Sequence, residues 1–219
     1  MPKVTDEHRA ARRHQIVMAA LRCFSRSGFQ QTSMADIIAE SGLSAGAIYG
    51  HYKSKEELVE LAVSEILDAR FVDLAEARRR QPPPSPAELV RILVEGLAAQ
   101  IGDLQLLLQV WGQVPINAKL KTLAGDIGTR IRGTFADYLA EYYRRVLEAP
   151  AEAAASAAAS DAPLYVGLVQ GYVVQSVLFT DFDRKGYLES VDRVAASARA
   201  EFSGSPAAQR LQVPEPESE

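Results

Sequence analysis

The chain has 219 residues, 47% of them hydrophobic and 24% charged, with a single cysteine. That balance excludes wholesale disorder, a collagen-like repeat and a disulfide-held scaffold, and the length suits one domain or a small one joined to a larger one. The net charge of −4 is uneven: residues 1–55 carry eight Lys/Arg against four acids, and the remainder 16 against 24. A basic head on an acidic body is expected to bring only the head to a polyanion.

No run approaches the ~18 apolar residues that a membrane span needs. The polar, basic residues 1–13 do not resemble a secretory signal. A lone thiol, Cys23, fits a reducing compartment and is expected to pack as a small hydrophobe. A cytoplasmic protein without a membrane partner is therefore expected.

Period-2 alternation is nearly missing and helical spacing dominates. Ile16, Val17, Ala20, Leu21 and Phe24 form one apolar face, and Gly28 follows as a stop. A second, short helix opens at Thr32-Ser33, with Asp36 as capping-box partner, and breaks at Gly42. Ser44 precedes a third short segment over residues 45–51. Ser54 and Glu57 form another box that opens a long helix over 55–80. After the proline-rich break at 81–86, Ser85, Pro86 and Glu88 start a helix carrying Leu89, Leu93, Leu97 and Ile101 at four-residue steps. A shorter segment over 104–114 holds Trp111 and is interrupted by Pro115. Ile127, Ile131, Phe135, Tyr138, Leu139, Tyr142 and Val146 mark another long helix.

Residues 149–162 include nine alanines in fourteen positions. Helix and connector are both compatible with that composition, and the bounding Pro150 and Pro163 favour a connector. Residues 164–182 are apolar nearly all round. Leu188, Val191, Val194, Ala195, Ala198 and Phe202 form a last amphipathic helix. The tail beyond it has the composition of a disordered segment. The expected architecture is all-α, with about nine helices: residues 1–54, then 55–203, then a tail over 204–219.

Residues 32–55 have helix-turn-helix spacing, two short helices around Ser41-Gly42-Leu43-Ser44. Ile37, Ile38, Leu43 and Ile48 would set the angle between them and leave the segment after Ser44 free to enter a major groove. The stretch resembles the DNA-binding domain of the tetracycline-repressor (TetR/AcrR) family of bacterial regulators. The resemblance lies in Ile16 through Phe24, Gly28-Phe29, Thr32 through Ile37, Gly42 through Ser44, Gly46, and Ile48 through Leu58. It covers about residues 10–60.

That resemblance implies a three-helix reading head, a long connecting helix and a dimeric, helical ligand domain. By position it implies that Thr32 and Ser33 contact phosphate. Ser44, Ala45, Gly46, Ala47, Tyr49, Gly50 and His51 would face the groove or its walls. Tyr49 and Tyr52 would touch the DNA backbone, and Lys55 would bind a phosphate. Hydroxyls, helix N-termini and lysine suit that task. The bland alternatives are that the tyrosines pack the head and that His51 caps its helix. Arg9, Arg12 and Arg13 could be a solvated face or an arm on the DNA. Position 45, often basic or polar in the family, is alanine, which shifts readout toward methyl contacts and DNA shape.

The resemblance also implies a cavity among the later helices. Its candidate wall is Phe71, Leu93, Leu97, Trp111, Phe135, Tyr138, Tyr172 and Phe179, with Gln113 and Gln175 as polar contacts; each could equally be core. No Arg or Lys falls in this set, so a small hydrophobic or aromatic inducer, neutral or softly cationic, is expected. Residues 165–179 are apolar on more than one side and need a second partner surface. Gly167, Gly171 and Val177, with Val191, Val194, Ala198 and Phe202, are the expected homodimer interface.

Three histidines offer no ligand cluster, and no hydrolase, metalloprotease, phosphate-loop or dinucleotide motif is present, so neither metal, cofactor nor enzyme activity is expected. The reading is a repressor that binds a palindromic operator in double-stranded DNA as a homodimer and is released by a small molecule. The alternatives are a ligand-independent regulator or activator and, further off, a helical enzyme or an interaction scaffold.

Overall fold

A computed structural model describes residues 6–203, and among them the chain is helical throughout, without a strand. The helices are α1 (Asp6–Gln31), α2 (Met34–Ser41), α3 (Ala45–Tyr49), α4 (Lys55–Arg79), α5 (Pro86–Ile101), α6 (Gln105–Gln113), α7 (Ala118–Val146), α8 (Ala151–Leu178) and α9 (Arg184–Ser203). The tail expected over 204–219 lies outside the described residues.

Most boundaries follow local chemistry. Gly28, at φ 78° and ψ 158°, ends the regular part of α1, because glycine takes a positive φ without a Cβ clash. Ser33 and Ser85 each make a complete capping box, with Asp36 and Glu88. Ser54 accepts from the Glu57 N–H, but the Glu57 carboxylate turns to the Lys53 N–H at 2.7 Å, so this third box is only half built. Asn117 caps α7 through the N–H groups of Lys119 and Leu120, so that helix starts nine residues before its first predicted apolar position, Ile127.

The alanine-rich stretch is not a connector: α8 runs unbroken through it and through Pro163. Alanine has the highest helix propensity. Ala154, Ala158 and Ala162, four residues apart, are buried in the same apolar cluster as Tyr143 and Leu139 of α7. Small side chains let the two long helices lie close, and the Tyr143 hydroxyl donates to Asp161 Oδ2 at 2.6 Å across that seam. Ala159, whose carbonyl loses its helical donor at Pro163, is exposed, so water can serve it.

The apolar residues form two clusters. One joins α1, α2 and α3 to the start of α4 and takes in Leu106 of α6 and Leu120 of α7. The other packs the far half of α4 with α5, α7, α8 and α9. The first cluster thus extends beyond residue 54, through Leu58, Val59, Leu61 and Ala62.

Candidate nucleic-acid interface and apolar cavity

The geometry of the head starts from Gly42, whose left-handed φ of 66° closes α2 and turns the chain toward α3. Gln15 of α1 donates to Ser41 O at 2.8 Å, and Ser41 Oγ bridges Ile38 O and the Leu43 N–H. Ile37 and Ile48 are fully buried on either side of that turn. These contacts clamp α3 at a set angle, as the apolar spacing predicted.

Ser44 caps α3, accepting from the Ala47 N–H at 3.2 Å. Beyond it, Ala45, Gly46, Gly50 and His51 are exposed, Tyr49 is 46% exposed, and Ala47 is half-buried. They present a low surface of small residues with one aromatic ring. A Cβ on Gly50 would lie 2.9 Å from Gly46 O, so glycine there lets the end of α3 close tightly. Tyr52 is half-buried on the head's apolar cluster, its ring centroid 6.2 Å from that of His51.

The phosphate-binding set differs from expectation. Thr32 is 2% exposed, and its hydroxyl donates to Gly28 O at 2.8 Å and Cys23 O at 3.1 Å, so it locks the end of α1 instead of facing outward. Ser33 is exposed but hydrogen-bonded to Asp36, whose carboxyl those bonds hold below its usual value; α2 therefore carries its own anion at its N-terminus. Lys55 Nζ donates to Phe29 O at 2.8 Å and Gln30 O at 3.1 Å and sits 4.8 Å from the Phe29 ring centroid. Its ammonium thus satisfies the carbonyl end of α1. Lys53, not among the predicted contacts, is exposed in the same loop. Arg22 and Arg26 are engaged by Glu40, whose carboxyl hydrogen bonds from both hold below its usual value. Cys23 is buried, which pushes its thiol up.

A cavity of about 430 Å³ lies between α4, α5, α6, α7 and α8. Phe71, Leu93, Leu97, Trp111 and Phe135 line it. The remaining predicted wall residues do not, because helical periodicity turns them elsewhere. Tyr138, three residues past Phe135, is 1% exposed and donates to Pro84 O at 2.6 Å; burial pushes its hydroxyl far above the ordinary tyrosine value. Tyr172 packs edge-on against Phe182 and Tyr187, at 5.5 and 5.8 Å between centroids. Gln175 is half-buried near Gly171, and Phe179 is 54% exposed just past α8. Gln113 reaches back to α1, where it accepts from Gln30.

Two arginines line the cavity, Arg70 and Arg132, contrary to the expectation of an uncharged wall. Spacing could have found Arg70: it sits four residues after Ile66 and four before Leu74, on the apolar stripe of α4. Helix α6 touches both regions, with Leu107, Val110 and Trp111, and Val114 just past its end, in the cavity wall and Gln109 against Gly28 of α1.

On the outer side, Leu164, Leu178, Phe179 and Val194 are exposed apolar residues and Gly167 is open. Val177 is half-buried. Val191 is 2% exposed, already covered within the chain. Gly171 also serves an internal contact: a Cβ there would meet Tyr187 Oη at 2.8 Å, and that hydroxyl donates to Leu168 O at 2.7 Å. The side chains of Ala198 and Phe202 lie outside the described residues. No helix among the described residues is long and apolar enough to cross a membrane.

Residues 16–62 match the sequence profile of the bacterial regulatory proteins, tetR family. The chain is 38% identical over 80 residues to the uncharacterized HTH-type transcriptional regulator YfiR of Bacillus subtilis, an alignment covering 36% of this chain and 39% of that protein. It is 31% identical over 123 residues to the HTH-type transcriptional regulator TtgR of Pseudomonas putida, covering 56% and 52%. The chain therefore spans about half or less of the length of these curated relatives. The fold is similar to that of a transcriptional regulator of the TetR/AcrR family from Aquifex aeolicus, with a TM-score of 0.62 at 18% identity over 88% of this chain and 98% of that one. At that identity the likeness concerns the fold alone. The reading head built as described is thus the part of this chain that carries the tetR-family sequence, over residues 16–62 from α1 to the start of α4.

Proposed function

We propose that this protein is a ligand-responsive transcriptional repressor of the cytoplasm. Residues 1–54 read a palindromic operator, and residues 55–203 bind a small, largely apolar inducer and join two chains into a homodimer. The observation that carries this reading is α6. Its Leu107, Val110 and Trp111 wall the cavity while Gln109 and Gln113 rest on the end of α1, so occupancy of the cavity and placement of the head share one element. The ligand acts by population shift: it must bind the DNA-releasing conformer better than the DNA-binding one. Moving a dimer from ~99% competent to ~1% needs about 5.5 kcal/mol of such preference.

The dimer reading is supported by the exposed apolar residues of α8 and by Val194 of α9. Groove contacts fall to Ser44, Ala45, Gly46, Ala47, Tyr49, Gly50 and His51, and backbone contacts to Ser33, Tyr52, Lys53 and the third N–H of Lys55.

Trp111, the one tryptophan, reports on the cavity. Anisotropy of labelled DNA from upstream of the chain's own gene, titrated with a compound library, is expected to fall over the concentration range in which Trp111 emission changes. Compounds that alter the emission and never release DNA would overturn ligand control. The Val177→Arg, Val194→Arg double variant is expected to sediment as a monomer and to lose operator binding. Intact dimers would move the interface elsewhere.

A further inference from the structure

Resting on the reading of the cavity as a ligand site, the chemistry of its wall narrows the ligand further. The lining contains no aspartate or glutamate, so a cationic ligand would enter without a counter-charge. It contains Arg132, exposed at the rim and donating to Thr129, and Arg70, whose side chain is 15% exposed. Arg70 Nη2 meets Asp73 Oδ2 at 3.3 Å. Its Nε and Nη1 are buried without a hydrogen-bond partner. The guanidinium lies over Gly96 of α5, where any Cβ would overlap it, so glycine makes room for a cation beside the cavity.

A buried donor left unpaired is costly, the more so on a charged group. The partner that Arg70 lacks is an acceptor. Both orphaned nitrogens are covered, so a ligand engages them after a turn of the terminal torsions of Arg70 away from Gly96, a motion of rotamer timescale. Charge balance selects the kind of acceptor. Arg70 and Arg132 against Asp73 leave one positive charge, and the neighbouring Arg130–Asp68 pair over Phe71 is neutral. A monoanion neutralises the site, whereas a phosphate dianion overshoots it.

We propose that Arg70 receives the carboxylate of an otherwise apolar monocarboxylic acid whose carbon skeleton lies against Leu93, Leu97, Trp111 and Phe135. The softly cationic inducer expected from sequence has no place in this arrangement.

The test uses the full chain and three probes of one skeleton: decanoate, decan-1-ol and decyltrimethylammonium. Binding is read by Trp111 emission and by displacement of the neutral dye Nile red. Decanoate is expected to bind about tenfold or more tightly than either other probe. Arg70→Met is expected to bring decanoate down to the affinity of decanol and to leave decanol binding within about twofold. Arg70→Lys should restore part of the preference. If wild-type protein binds decanoate no better than decanol, or if the preference survives Arg70→Met, the carboxylate assignment is overturned. Should Arg70→Met fail to fold, the wild-type comparison alone decides. If neither Nile red nor any probe binds, the ligand-site reading itself fails, an outcome distinct from binding without preference.

Discussion

Lys55→Met separates two jobs that one ammonium could hold. The substitution keeps an apolar stem against Phe29 and removes the donors to Phe29 O and Gln30 O. A hydrogen bond to a charged group contributes about 1.5–3 kcal/mol. Lys55 is only half-buried, so screening reduces this to roughly 1 kcal/mol for each bond, and the pair to about 2 kcal/mol. The carbonyls it leaves lie just past the Gly28 break in α1, where Phe29 enters the head core, so the whole head should feel the loss. With a urea slope of ~2–3 kcal/mol per molar, the unfolding midpoint of the DNA-free protein should fall by about 0.7–1 M. Urea titration followed by circular dichroism reads this directly. An unchanged midpoint would refute the role of Lys55 as the clamp on α1. DNA binding gives the second axis: a phosphate contact from each head should lower the log K against log salt slope by ~2 per dimer. A variant that keeps its stability and loses that slope would reassign the ammonium to the operator.

Thr32→Val preserves shape and removes a buried donor, and is expected to cost about 1 kcal/mol of stability with little change in operator affinity of the folded protein. A large affinity loss at unchanged stability would return Thr32 to the phosphate set. Ala158→Leu should cost about 1–3 kcal/mol by overpacking the α7–α8 seam; a midpoint equal to wild type would restore residues 149–162 to connector status. Glu40 is held below its ordinary value of 4.5 first by the hydrogen bond from Arg22 and then by that from Arg26, so its contribution to stability is full above that value and is lost as pH falls through the lowered one. Acid unfolding should therefore be shallower in Glu40→Gln than in wild type as pH falls below the ordinary value of 4.5, and identical curves would dismiss the ion pairs as a source of acid sensitivity.

Local chemistry alone determined much of this protein. Helix starts could be read from Ser33, Ser44 and Ser85 because a capping hydroxyl needs only a neighbour three residues away, and the stop at Gly28 and the turn at Gly42 because only glycine takes those backbone angles cheaply. The reading head was legible for the same reason: its residues are close in sequence as well as in space. What depends on partners far along the chain was not. Alanines at 154, 158 and 162 carry no periodic hydrophobic signal, and only the close approach of α7 makes them core. Thr32 and Lys55 look like phosphate ligands by type, but their groups are used on carbonyls of α1: Thr32 through the turn at Gly28, and Lys55 because the start of α4 lies against that helix. Tyr138 and Tyr172 share helices with true wall residues, and the rotation of α7 and α8 about their axes sends them to Pro84 and to Phe182 instead. Arg70 lies on an apolar stripe in the sequence, yet that a glycine on α5 shelters its guanidinium is a fact of two helices meeting. Hydrogen bonds and side-chain shapes satisfied between distant segments are decided by packing, and packing exists only in three dimensions.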